Sequence, residues 1–358
     1  MSSIDRSVLI KRILVTRVDR IGDVVLSTPV FPAIKKRYPK SHVAVLVLKE
    51  SEQIVRGNPW IDQVIIYDKK GRYRSWWKTM LFGLNLRQER FDVAIHLHAT
   101  NRVNIISWLA NIPIRIGYRV KLGDRHGNFH HLLTHIVEEK KWQGKRHEAD
   151  YNFDLLSLID VTRPDKLELY FPLADSEREI LNHTLPRSLN QRYVIFHPSA
   201  SCMSKKWAPD RLANVADQLA RNYGILPVII GDSLAGVSDA SKMQEFMEEN
   251  ALNLAGKLNL GMLGWLLKGA RLLISNDSGP VHIASALGTP VISIFGRKKP
   301  GLNTTRWRPL SENSSFLQKD VGCVECLAHL CQIDFKCLKE LKVADVLEEA
   351  RRYEPFLV

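Results

Sequence analysis

Three short stretches of this 358-residue chain gather residue types that could bind and activate a substrate. The first is Arg17-Val18-Asp19-Arg20-Ile21-Gly22-Asp23, two carboxylates and two guanidinium groups around a glycine. Gly22 permits close backbone approach, and Asp23, at the start of the following helix, could act as a general base on a hydroxyl within hydrogen-bond reach. A carboxylate in that place can equally be an N-terminal cap held by the helix dipole. The second stretch, residues 199–207 (SASCMSKKW), sets small hydroxyl residues ahead of Lys205 and Lys206. Hydroxyl and backbone donors with an ammonium suit the oxygens and charge of a diphosphate. The third, residues 272–296, reads LLISNDSGPVHIASALGTPVISIFG. Its turn at Asp277, Ser278 and Gly279 lies between an apolar run and a helix-spaced segment. Such a turn brings backbone N–H groups and a helix N-terminus to the carboxyl edge of a parallel sheet, so an anionic ligand is the first expectation.

The elements that must position these residues alternate between strand and helix. Strands are expected at 9–16, 43–48, 64–67, 93–97 and, more weakly, 114–118, with a helix over 24–38. The pattern then restarts: strand 193–197, helix 210–223, strand 226–230 ending at Gly231 and Asp232, helix 241–250, then 252–255, a helix over 259–269 and the stretch at 272–296. Uniformly apolar runs such as 43–48 are those of strands buried on both faces, and the alternation argues for parallel sheets covered by helices. The chain therefore reads as α/β, with two Rossmann-like doubly wound parallel-sheet domains facing a central cleft. Residues 160–190, with Pro164, Pro172 and Pro186, connect them and carry some helical character at 175–183. No G-x-G-x-x-G follows the first strand and no G-x-x-x-x-G-K-[ST] occurs, which counts against a nicotinamide dehydrogenase and a P-loop NTPase.

The formal net charge is +13, and all of it lies in the first half. Residues 1–150 hold 27 Lys and Arg against 14 Asp and Glu, whereas residues 151–358 hold 24 of each. A basic half beside a neutral one suits a polyanion: nucleic acid, an anionic membrane or a phosphorylated glycolipid. No apolar run reaches the ~18 residues of a spanning helix and the N-terminus lacks a signal-peptide core, so a cytoplasmic protein is expected.

Three stretches also carry a family resemblance. NDSGPVHIASALGTP, RVDRIGDVVLSTPVFPAIKKRYP and HPSASCMSKKWAPDRLANVADQL resemble the motifs of glycosyltransferase family 9, the heptosyltransferases of the lipopolysaccharide inner core. The resemblance spans about residues 13–346. It implies a GT-B fold with an acceptor domain at 1–170, a nucleotide-sugar domain at 171–335 and a helix at 336–358 crossing back to the first domain. It implies inverting transfer of a heptose from ADP-heptose, with Asp23 as general base, Asp19 the spare carboxylate and Gly22 on the acceptor side. On the donor side it implies Ser201 and Lys205 near the diphosphate, Asp232 at the nucleoside, Leu258 beside the adenine, Asp277 on the sugar hydroxyls and the Ser278–Gly279 turn on the diphosphate. His282 could donate to the same group. Ala200 departs from a commonly polar position. Because cationic and N–H groups would stabilise the leaving diphosphate, neither a metal nor a resident cofactor is expected. The acceptor implied is lipid A-Kdo or a heptosylated core at the inner face of the inner membrane, with the enzyme peripheral there and no nucleic acid bound.

Other features remain. The segment 115–146 carries Arg115, Arg119, Lys121, Arg125, Lys140, Lys141, Lys145 and Arg146 with His126, His130, His131 and His135, and resembles the family's acceptor-side region; Arg119 is the candidate for an acceptor phosphate or carboxylate. Cys323, Cys326, Cys331 and Cys337 are spaced C-x2-C-x4-C-x5-C, open to metal, disulfide or reduced thiols. The tract 73–86, YRSWWKTMLFGLNL, reads as a helix packed on the sheet or as an interfacial one. Competing functions are a GT-B transferase using another nucleotide sugar, and a non-catalytic protein binding nucleic acid or a nucleotide sugar.

Overall fold

The structure is a computed structural model that describes residues 9–98, 100–119, 129–185 and 191–358. Its chain divides into two compact units, 1–142 with 146–172 and 143–145 with 173–358. Lys121, Arg125, His126 and Pro186 lie outside the described residues.

The first unit is a six-stranded parallel sheet of β1 (Arg12–Arg17), β2 (His42–Val47), β3 (Gln63–Ile66), β4 (Val93–His96), β5 (Ile114–Arg119) and β6 (His135–Glu138), in the order β3-β2-β1-β4-β5-β6. β1, β2 and β4 are almost wholly buried, as their apolar runs require. The helix expected over 24–38 is two helices, Ile21–Val25 and Val30–Arg37. Pro29 has no N–H to continue the ladder. The Val25 carbonyl is instead taken by the Thr28 hydroxyl at 2.7 Å and the Thr28 N–H at 3.0 Å. β6 escapes the apolar-run signal because it is a short edge strand reading HIVE.

The second unit repeats the plan with β7 (Tyr193–His197), β8 (Leu226–Ile229), β9 (Leu252–Asn253), β10 (Leu272–Asn276), β11 (Val291–Ile294) and β12 (Ser314–Leu317), ordered β12-β11-β10-β7-β8-β9 and parallel throughout. The helix expected at 241–250 runs instead over Leu234–Glu245, because the Ser233 hydroxyl accepts the Gly236 N–H at 3.1 Å and starts it earlier. The end of the chain also departs from expectation. The stretch 336–358, expected as one helix, forms three: Lys336–Glu340, Val343–Arg351 and Glu354–Leu357. Leu338, Leu341, Val346, Ala350, Tyr353 and Leu357 complete the core of the second unit. Those apolar side chains bury best against Phe196, Trp207 and Ile292 of that core.

Each sheet runs outward in both directions from its first strand, so the strand order reverses between β1 and β4 and again between β7 and β10. In doubly wound sheets, ligands bind outside the carboxyl ends of the strands at such a reversal. All three stretches singled out in the sequence leave a strand there.

Candidate functional site

At the first reversal, Arg17 closes β1 with its side chain buried. Its guanidinium gathers a ring of partners: Nε donates to Asp19 Oδ1 at 2.9 Å, and one terminal nitrogen donates to Asp23 Oδ1 at 2.8 Å and Glu148 Oε1 at 3.1 Å. The other reaches the Leu97 carbonyl at 3.2 Å and Asn152 Oδ1 at 3.3 Å. Lys141 Nζ donates to Glu148 Oε1 at 2.7 Å, and His98 Nδ1 stands 3.3 Å from Asp19 Oδ2. Three carboxylates thus share two cations in a largely dry place.

The electrostatics follow from that imbalance. Burial, reinforced by neighbouring Asp19, pushes the Asp23 carboxyl up to about 6 although Arg17 opposes the shift. Burial raises Asp19 as well, against the same guanidinium. His98 is pushed down to about 4 by burial and by Arg17, so it is a neutral imidazole at physiological pH. Asp23 sits in the first turn of its helix, whose preceding residue, Arg20, makes no side-chain cap. The Asp23 carboxylate is therefore engaged by Arg17 rather than consumed as a cap.

At the second reversal, Lys205 Nζ donates to Asp277 Oδ2 at 2.9 Å and to the Asp277 carbonyl at 3.0 Å. Arg297, just beyond β11, donates to the same Oδ2 at 2.8 Å. Burial pulls the Lys205 ammonium below its usual range, against the attraction of Asp277. Next in the turn, the Ser278 hydroxyl lies 2.9 Å from His197 Nδ1 and 3.0 Å from Ser275 Oγ. His197 ends β7, and burial pushes it down to about 4, leaving it neutral. Ser278 precedes the helix Gly279–Leu287 and its own side chain does not cap it. Asn276 ties the two loops together: its amide donates to the Pro198 carbonyl at 2.7 Å, and its oxygen accepts the Trp207 N–H at 2.9 Å.

Lys205, Asp277, Ser278 and Gly279 are thus brought to one strand reversal, with His282 buried in the helix that follows. Ser201 is exposed on the loop after β7, Asp232 is exposed beyond β8, and Leu258 is half-buried before the helix Leu260–Gly269. Gly22 is buried beside Asp23. Arg119 ends β5, two strands from β1 along the sheet, half-exposed and 3.2 Å from Glu138 of β6. The sequence reading placed Arg17 in the first stretch and Lys141 in the basic segment without a partner for either, and passed over Glu148 and Arg297. Arg17 and Arg297 could have been found as charges at the carboxyl ends of strands otherwise buried, whereas nothing local marks Lys141 and Glu148.

All five cysteines are free thiols. Cys337 Sγ donates to the Gly296 carbonyl at 3.0 Å, while Cys326 Sγ accepts the Lys298 N–H at 3.4 Å. Among the described residues no group of three or more His, Cys, Asp or Glu side chains is placed to hold a metal ion, and no helix is long and apolar enough to cross a membrane.

Comparison with known proteins assigns the family. The sequence model of glycosyltransferase family 9 (heptosyltransferase) matches residues 80–336. Lipopolysaccharide heptosyltransferase 3 of Escherichia coli is 30% identical over 310 residues, covering 82% of this chain and 84% of the relative. The protein of that name from strain K12 is 27% identical over 301 residues, covering 82% and 83%. Among solved structures, a glycosyltransferase family 9 protein of Veillonella parvula superposes with a TM-score of 0.79 at 25% identity, over 96% of this chain and 97% of that one. The E. coli ADP-heptose lipopolysaccharide heptosyltransferase II superposes with a TM-score of 0.75 at 21% identity, over 96% and 98%. With the family motifs sitting at both strand reversals and the match extending over most of its length, the chain belongs to glycosyltransferase family 9, the heptosyltransferases, and has their GT-B fold.

Proposed function

We propose that this glycosyltransferase moves a heptose from ADP-heptose to a hydroxyl of the lipid-linked inner core of lipopolysaccharide, with inversion at the anomeric carbon. Family membership and the two lipopolysaccharide heptosyltransferase relatives support the substrate class. The observation that carries the mechanism is the state of Asp23: a carboxyl at a strand reversal, raised to about 6 yet ionised at neutral pH. A base with a pKa just below the working pH combines availability with proton affinity.

In the proposed reaction the acceptor hydroxyl gives its proton to the Asp23 carboxylate as its oxygen forms the new bond to the anomeric carbon. The bond from that carbon to the diphosphate breaks, and ADP leaves with the electron pair. Lys205, Arg297 and the N–H groups of the Ser278–Gly279 turn would offset the charge that grows on the diphosphate. Asp277, which holds both cations, would accept from the sugar hydroxyls. Ser201, Asp232, Leu258 and His282 would complete the donor side, and Gly22 and Arg119 the acceptor side. Two cations and a helix N-terminus supply the stabilisation that a divalent ion gives elsewhere, so transfer would need no metal and no resident cofactor. The enzyme would work at the cytoplasmic face of the inner membrane.

The decisive experiment is calorimetric titration of metal-free protein with ADP, UDP, GDP and NAD, repeated on Lys205→Ala and Asp277→Ala. Selective ADP binding, weakened by Lys205→Ala, followed by transfer from ADP-heptose to truncated core acceptors, supports the reading. Preference for UDP or GDP overturns the ADP-heptose assignment, and absence of nucleotide binding overturns the transferase reading.

A further inference from the structure

The helix Trp76–Leu86 is apolar on both of its faces, and only one of them is used by the fold. Thr79, Phe82, Gly83 and Leu86 form the buried face. A Cβ on Gly83 would come within 3.0 Å of Leu109 Cβ and 3.1 Å of the Ile106 carbonyl, so the helix lies tightly on Asn101–Leu109. The opposite face presents Trp76, Trp77, Met80, Leu81 and Leu84, at 49%, 63%, 47%, 37% and 47% exposure. Their spacing places them in one stripe along the helix. Trp108, on the neighbouring helix, is 52% exposed. An ordinary surface helix would carry charge there, and a contiguous apolar face of this size on a folded protein marks an interaction site.

Charge identifies the occupant. Residues 69–88 carry six basic side chains, Lys69, Lys70, Arg72, Arg74, Lys78 and Arg87, and no acidic one. All six are exposed. Tryptophans with a basic border are the composition of a helix lying in the plane of an anionic bilayer surface, the rings among the headgroups and the cations on the lipid phosphates.

Placement gives the surface a direction. The helix follows β3, so its first turn lies toward the carboxyl edge of the sheet. Arg102 fixes it there: one terminal nitrogen donates to Tyr67 Oη and the Tyr73 carbonyl, both at 2.9 Å, the other donates to the Arg74 carbonyl at 2.8 Å, and the guanidinium stacks 4.9 Å from the Trp76 ring. Arg102 opens the helix after β4, the strand beside β1, so this end of the stripe shares a sheet edge with Asp19, Asp23 and His98. We propose that the exposed face of Trp76–Leu86, with its basic border, is the surface by which the first unit docks on an anionic phospholipid bilayer, its carboxyl edge toward the lipid headgroups. This goes beyond the transfer reaction and does not depend on the identity of the sugar.

The test is flotation of the full-length protein with vesicles of phosphatidylcholine alone or with a third phosphatidylglycerol. Binding is expected only to the anionic vesicles and is expected to weaken with salt. At about fivefold per basic residue near the surface, Arg74→Gln with Lys78→Gln and Arg87→Gln should lower partition about a hundredfold. Trp77→Ala with Leu81→Ala should lower it at least tenfold. Both variants should keep the wild-type melting temperature and its turnover on a water-soluble, deacylated acceptor, which separates loss of docking from misfolding and from failure of the transferase reading. No binding to anionic vesicles, or binding unchanged in both variants, overturns the proposal. So does a concentration-dependent dimer abolished by Trp77→Ala with Leu81→Ala and indifferent to lipid, which would assign the face to a second copy of the chain.

Discussion

Arg17 donates to Asp23 at 2.8 Å from the end of a buried strand, and through the same nitrogen it holds Glu148 at 3.1 Å. One guanidinium therefore sets both the orientation and the charge state of the proposed base. With Asp19, Asp23 and Glu148 ionised, the cluster carries one negative charge more than Arg17 and Lys141 neutralise. Burial first, and then that excess, raises Asp23.

Replacing Asp23 by Asn should leave ADP affinity unchanged and lower kcat by about 10²–10⁴-fold, the range typical of a lost general base. Single-turnover transfer alongside ADP calorimetry checks this. A variant that keeps full turnover removes Asp23 from the mechanism.

The same carboxyl should govern pH dependence. Below about 6, kcat/KM of the wild type should fall tenfold per pH unit as Asp23 is protonated, and the residual activity of Asp23→Asn should show no such limb. Glu148→Gln removes a negative neighbour, which favours the Asp23 carboxylate, so the acid limb should move to lower pH. A limb that stays in place in Glu148→Gln would deny the coupling.

Stability should respond with the opposite sign from an ordinary ion pair. Asp23 has a higher pKa folded than unfolded, so between about 4 and 6 the native state binds more protons and loses stability as pH rises. Asp23→Asn should therefore be more stable than wild type at pH 8, by on the order of 1–3 kcal/mol, and no more stable at pH 4. Urea denaturation at the two pH values measures the difference.

Lys205→Met should weaken ADP binding about 10–100-fold, as expected for removing a charge-assisted bond to a phosphate. It should cost less stability than breaking an isolated buried pair, because Arg297 still holds Asp277 at 2.8 Å. The double variant Lys205→Met with Arg297→Met leaves the Asp277 carboxylate alone and should lose more stability than the two single changes added together. Thermal melts of the three variants give that coupling.

Trp207 tests the scaffold beneath the donor loop. It is fully buried, its Nε1 donates to the Leu341 carbonyl at 3.1 Å, and its backbone N–H meets Asn276. Trp207→Ala should cost about 3–5 kcal/mol of stability, read from denaturant midpoints. ADP affinity should fall with it, because Lys205 is two residues away.

The parallel sheets were legible in the sequence, because runs such as VAVLV at 43–47 and LLI at 272–274 are apolar at every position and so are buried on both faces. The sequence by itself also determined the turns that carry Asp23, Lys205 and Asp277, because these are local patterns of glycine, hydroxyl and charge between a strand and a helix. Tertiary structure decided the rest. Arg17 and Glu148 are 131 residues apart, and Lys205 and Asp277 are 72 apart. Only the strand order that sets β4 beside β1 and β10 beside β7 brings such residues within hydrogen-bond distance. The fate of the closing helices was a matter of packing, since Val346, Ala350 and Leu357 would suit any apolar surface and the core of the second unit supplied one. The aromatic helix shows the same division. Its composition is plain in the sequence, but which side chains are buried and which meet solvent depended on how closely Gly83 lets it approach Leu109.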